Sequence, residues 1–190
     1  MKKLLTMVLA LVLVFALGVG GTLAWLTATA PEVKNTFTTS DITVTLAETT
    51  GEKYQMVPGH TIDKNPKVTV GGDVDAYVFV KVEKANDFDT YMTYEMAEGW
   101  TELEAGVFYR EVKTTDTTKT FSVLKNDKVT VKGSVTKDMM NALTEATQPT
   151  MTFTAYATQM YKNADTKFSA AEAWHNVSDP TDSVVYTPAQ

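Results

Sequence analysis

The sequence predicts an all-β fold, an antiparallel β-sandwich with two short helices, and three observations point there. Apolar residues alternate with polar, mostly hydroxyl-bearing ones in run after run, the period of a strand with one buried face. Threonine makes up 30 of the 166 residues after residue 24, and a β-branched side chain with a hydroxyl suits a pleated surface facing water. Turn signals separate the runs, and only two stretches carry helical periodicity.

The chain opens on Met1-Lys2-Lys3, a short basic region, followed by Leu4 to Val19 without a charge. Gly20-Gly21 breaks a helix, and Thr22-Leu23-Ala24 sets small residues three before and one before a cut. This is the three-part pattern of a secretory signal peptide over residues 1–24, cleaved between Ala24 and Trp25. The other reading is an uncleaved anchor, because the apolar run extended through Leu26 reaches about 20 residues, the spanning length. The glycines and Ala24 fit processing better. A second cut, after Ala28-Thr29-Ala30, is disfavoured by Pro31. Residues 25–36 then form an exposed N-terminal segment, 37–177 the sandwich domain, and 178–190 a tail lying loosely on the surface.

Within the domain, Ile42, Val44 and Leu46 alternate with Thr43 and Thr45. Pro58-Gly59 fits a turn, since proline presets φ and glycine accepts positive φ at the next position. Asn65-Pro66 turns the backbone out of the helical region into an extended run, in which Val68 and Val70 alternate with Lys67 and Thr69. Gly71-Gly72-Asp73 reads as the reversal of a β-hairpin whose returning strand is Ala76 to Glu83. Ala76, Val78, Val80 and Val82 share one face of that run, and Tyr77 and Phe79 the other, so it reads as a central strand covered on both sides. Tyr91 to Met96 and Val107 to Lys113 read as a second hairpin or as strand-loop-strand. Thr120 to Val123, Val129 to Thr136 and Thr150 to Thr158 alternate again. The helical stretches are Lys137 to Ala146, with Thr136 as N-cap, and the run after Ser169, where Ser169 and Glu172 have capping-box spacing ahead of Ala173, Trp174 and Val177.

After removal of residues 1–24, 166 residues make about one domain, enough to bury close to 70% of the unfolded surface. There is no cysteine, which excludes thiol catalysis, zinc-thiolate sites and disulfides, so stability must come from packing. Residues 25–190 hold 15 basic and 23 acidic side chains, a formal charge of −8. That balance argues against nucleic acid and anionic membrane surfaces as partners. The membrane is reached only through the signal peptide before the cut.

Motifs that carry chemistry are few. His60 and His175 belong to no His-Glu-x-x-His pattern, and neither a Gly-x-Ser-x-Gly elbow nor a phosphate-cradling glycine loop is found. No enzyme and no cofactor is expected. Asp63, Asp73 and Asp75 are the one set that calcium would suit, through carboxylate oxygens; the alternative is turn chemistry, aspartate bonding nearby amides. Tyr77, Phe79, Tyr94, Trp100, Phe108, Tyr109 and Tyr156 would line a carbohydrate or peptide groove, although strand aromatics more often form core. The Asn176-Val177-Ser178 sequon has no weight without a host.

Several of these stretches together resemble a known group. Gly20-Gly21-Thr22-Leu23-Ala24-Trp25, then Asn35-Thr36-Phe37-Thr38 and a strand, is similar to the exported proteins cut by the SipW-type signal peptidase. So are Val57-Pro58-Gly59, Lys64-Asn65-Pro66-Lys67-Val68, Ala76-Tyr77-Val78-Phe79-Val80-Lys81-Val82, Gln148-Pro149-Thr150-Met151-Thr152-Phe153-Thr154-Ala155-Tyr156-Ala157 and Ala171-Glu172-Ala173-Trp174. The chain resembles the TasA/camelysin family of Gram-positive bacteria from residue 1 to about residue 177. The resemblance implies a jelly-roll-like sandwich, secreted to the cell surface or biofilm matrix, whose TasA-like members self-associate into fibres by pairing the freed N-terminal segment with a neighbour. Here that segment is Trp25, Leu26, Thr27, Ala28, Thr29 and Ala30, with Pro31 ending it. Camelysin-like members have been described as metalloproteases, but no zinc motif here receives that activity. A Leu-Pro-x-Thr-Gly sorting signal is also missing from the C-terminal stretch. A structural matrix protein is the leading expectation, with a secreted binding module or a camelysin-like metalloprotease as alternatives.

Overall fold

The computed structural model describes residues 41–51 and 54–178. The signal peptide, the cut between Ala24 and Trp25, the segment Trp25 to Ala30, Asn35 to Thr38, and the tail beyond Ser178 lie outside the described residues. The described chain is an all-β arrangement of antiparallel sheets with three short helices.

Twelve strands follow in order: β1 (Ile42–Ala47), β2 (Thr61–Asp63), β3 (Lys67–Gly72), β4 (Ala76–Ala85), β5 (Met92–Met96), β6 (Thr101–Glu104), β7 (Val107–Val112), β8 (Thr120–Ser122), β9 (Leu124–Val131), β10 (Thr150–Gln159), β11 (Tyr161–Asn163) and β12 (Thr166–Lys167). Helix α1 (Phe88–Tyr91) precedes β5, α2 (Lys137–Asn141) precedes β10, and α3 (Ala170–Ser178) ends the described chain. The sheets run β1-β3-β8, β10-β4-β7-β6, β2-β9-β5 and β11-β12.

Strand β4 is the centre, as its sequence predicts. It pairs with β10 over ten residues, Thr150 opposite Ala85 to Gln159 opposite Ala76, and with β7 on its other side. Val78, Phe79 and Val80 are fully buried, each removing enough apolar surface to stabilise the fold by roughly 1.5–3 kcal/mol. Ala76, Val78, Val80 and Val82 pack with Val68, Val70, Val112 and Val123 against side chains of β1, β3 and β8. On the opposite face, Tyr77 and Phe79 pack with Met160, Ala173 and Trp174 under α3. Phe79 and Trp174 lie with ring centroids 5.3 Å apart. A third cluster, Phe88, Met92, Leu124, Val129, Val131 and Val135, sits on the β2-β9-β5 sheet.

The expected β3–β4 hairpin does not form. β3 pairs with β1 and β8, whereas β4 belongs to the four-stranded sheet. The glycine pair serves a different purpose. At Gly72, φ is +132° and a Cβ would stand 2.2 Å from the Asp41 carbonyl oxygen; at Gly71 a Cβ would meet Thr43 Oγ1 at 2.7 Å. Their bareness lets β1 approach β3 closely, and the chain then crosses to the other sheet. The second hairpin is likewise redistributed. β5 joins β9, and β7, besides pairing with β4, pairs with β6, Thr101–Glu104, a strand that the sequence reading passes over. Gly106, at φ +77°, makes the β6–β7 turn where a Cβ would press on the Val82 carbonyl at 2.8 Å.

The two expected helices are present, with their caps. Thr136 Oγ1 accepts the Met139 amide at 3.2 Å, although α2 stops at Asn141. At α3 the capping box closes both ways: the Glu172 amide donates to Ser169 Oγ at 3.2 Å, and the Ser169 amide to Glu172 Oε2 at 2.9 Å. On β7, the half-buried Arg110 guanidinium lies 3.8 Å from the Phe121 ring centroid and 5.2 Å from that of Trp100, a cation–π arrangement. Burial lowers the Arg110 pKa from its ordinary value.

Candidate functional site: strand edges and a methionine-lined groove

Any sheet edge exposes unpaired amides and carbonyls, and proteins guard such edges with charge, brevity or cover. The guarded edges here are easily named. β6 carries Glu102 and Glu104, and Glu104 Oε1 also accepts from Trp174 Nε1 at 2.7 Å. β8 and β2 are three residues long, and Asp63 of β2 pairs with Lys128 at 3.0 Å. β5 has the Glu95–Lys125 ion pair.

β1 and β10 are different. β1 reads ITVTLA and β10 reads TMTFTAYATQ, with no charge in either. Each is the terminal strand of its sheet. The two come close to one another without ladder pairing, and both feed side chains (Val44 and Leu46, Phe153 and Ala155) into the same core cluster. These two charge-free edge strands of the described residues thus contribute to one core cluster.

The end of β1 is fastened by a polar cluster. Lys64 Nζ lies 2.9 Å from both Glu48 carboxylate oxygens, and Tyr54 Oη and Thr50 Oγ1 each donate to Glu48 at 2.8 Å. Asn65 Oδ1 accepts the amides of Thr49 and Thr50 at 2.9 and 3.2 Å. Burial pushes the Glu48 carboxyl up, but hydrogen bonds from Lys64, Thr50 and Tyr54, with the Lys64 charge, together hold it below the ordinary carboxylate value.

Beside this cluster lies a groove of about 1010 Å³. Ile62, Val129 and Met92 come from the β2-β9-β5 sheet, Met151 from the start of β10, Met140 and Leu143 from α2 and its exit, and Met56 and Val57 from the segment before β2. Lys64, Glu145, Gln55 and Gln148 add polar groups to its lining.

The residues singled out in the sequence scatter. His60 is exposed on its turn, its amide donating to the Val57 carbonyl at 3.0 Å; His175 lies in α3. Asp63, Asp73 and Asp75 are not gathered: among the described residues no three His, Cys, Asp or Glu side chains converge as for a metal ion. Asp73 accepts the Asp41 amide at 3.3 Å, and Asp75 accepts the Thr114 amide and hydroxyl at 2.7 and 3.0 Å. The Thr114 amide is the main reason that the Asp75 carboxyl lies below its ordinary value. Tyr77 and Phe79 are core, and Tyr94, Trp100, Phe108, Tyr109 and Tyr156 pack half-buried against the clusters instead of lining a carbohydrate groove. The sequence reading missed the groove; the signal available to it was a methionine in each of four separate segments.

Comparison with family models, with curated proteins and with solved structures returns no match.

Proposed function

We propose that this chain is a secreted structural protein of the cell surface or biofilm matrix, of the TasA/camelysin kind, which assembles into fibres by strand addition. In this reading the four-stranded sheet and the three-stranded sheets form a jelly-roll-like sandwich. A SipW-type signal peptidase cuts between Ala24 and Trp25, and the freed Trp25–Ala30 segment of one subunit adds to the uncharged edges of the next. The observation that carries the reading is that β1 and β10, the two charge-free edge strands longer than three residues, feed side chains into the same core cluster. Main-chain hydrogen bonds would supply affinity, and Trp25 and Leu26 would supply specificity by filling pockets. Pro31, which has no amide hydrogen, ends the paired stretch.

The test compares a chain starting at Trp25 with one starting at Glu32, by electron microscopy and thermal melting. Fibres from the first and none from the second, at equal melting temperature, support strand addition. Fibres that persist from the Glu32 chain sink it. Casein cleavage that disappears with a chelator would instead favour the metalloprotease alternative.

A further inference from the structure

We propose that the groove beside β2 is a soft-metal site, binding copper(I) through the thioether sulfurs of Met56, Met92, Met140 and Met151. Four of the 16 residues lining the groove are methionine, whereas the remaining described residues hold three. The four come from four separate chain segments, so no single amphipathic stripe accounts for their meeting. Six of the seven described methionines belong to the cluster at this sheet. Met160 is the exception, buried beneath α3.

Thioether sulfur is a soft, uncharged donor that selects copper(I) over zinc, calcium or magnesium. With no cysteine in the chain, methionine is its remaining soft ligand. Three rotatable bonds give each side chain freedom to reorient its sulfur within the groove that the four line. Met92 forms part of the buried floor, while Met56, Met140 and Met151 are only half-buried and accessible from outside. Lys64, the cation in the lining, is tied to Glu48 at 2.9 Å, and Glu145 adds a carboxylate. A gap-filling role in the core is the competing account of the same methionines.

The two accounts separate in titration. Silver(I), a redox-stable substitute for copper(I), is added as nitrate in chloride-free buffer to the full-length chain labelled with ¹³C at the methionine methyls. One equivalent is expected to shift the Met56, Met92, Met140 and Met151 methyls and leave Met160 unmoved. Thioethers carry no proton to lose, so affinity should be the same at pH 5 and pH 7.5, unlike that of an imidazole ligand. The double variant M56L/M140L keeps apolar volume and should bind at least about tenfold more weakly without a change in melting temperature. No shift at one equivalent, shifts that include Met160, affinity that falls at pH 5, or full binding by the double variant would each overturn the site. If the variant fails to fold, the shift map and the pH comparison on the unaltered chain still decide.

Discussion

Val80 and Gly72 show how differently two residues of strands consecutive in the chain hold this fold. Val80 is fully buried in the middle of β4, so Val80→Asp places a carboxylate where no partner is available. The cost is on the order of 3 kcal/mol or more, a fall in melting temperature of roughly 6–12 °C for a chain of this size. A variant that melts within two or three degrees of the parent would remove β4 from the core. Gly72 contributes by lacking a side chain. Gly72→Ala meets both an unfavourable φ and the Asp41 carbonyl, at a cost of about 1–3 kcal/mol. Its effect should be local, with hydrogen exchange rising first in β1, and equal acceleration throughout the sheet would contradict that. Val80 was legible in the sequence because both faces of its run are apolar, the mark of a strand covered on both sides. Gly72 was misread because glycine serves a hairpin turn and a close strand approach equally well, and only the position of β1 decides between them.

At the level of elements, α3 is the cover over Tyr77 and Phe79, and its first turn rests on Glu172. Hydrogen bonds from Lys162 and from the Ser169 amide and hydroxyl lower the Glu172 carboxyl to about 2. The folded value lies below the unfolded one, so the contribution is complete above about pH 4.5 and fades as pH falls toward about 2. Glu172 is exposed, so solvent screening keeps the effect small. Glu172→Gln should melt a little below the parent at pH 6, and the gap should close as pH 2 is approached; a gap that widens in acid would refute the assignment. Both caps were legible, because a capping box is a local pattern that needs no tertiary information. β6 and α1 were not legible. Thr-Glu-Leu-Glu has one apolar residue and takes its order from β7, and α1 is a single turn ordered by the burial of Phe88. The first half of β9 was also hidden, since Asn126 and Asp127 both adopt positive φ and interrupt the alternation where the β5–β9 register shifts. Pairing between strands was the least legible feature, because every strand shows the same pattern and the sequence carries no label for its partner.

For the whole molecule, charge would set the conditions of the proposed assembly. A net charge of −6 over the full chain, or −8 after residue 24, makes subunits repel at low ionic strength, and salt screens that repulsion over about 10 Å at 0.1 M. Fibre growth should therefore shorten its lag between about 10 and 150 mM sodium chloride, read by light scattering. A lag that lengthens would mean that ion pairs, not main-chain pairing, join the subunits.

Arg110, held between Phe121 and Trp100, is the sole arginine in 190 residues. An arginine-specific protease therefore has one bond to cut, inside a paired strand that must leave its sheet before it fits an enzyme cleft. Digestion becomes a single-event clock whose two products, 1–110 and 111–190, are countable on a gel. When opening and reclosing are fast relative to cleavage, its rate follows the population of the opened form. Val80→Asp should speed that clock, and a cut that runs at the same rate in parent and variant would mean that β7 opens without β4.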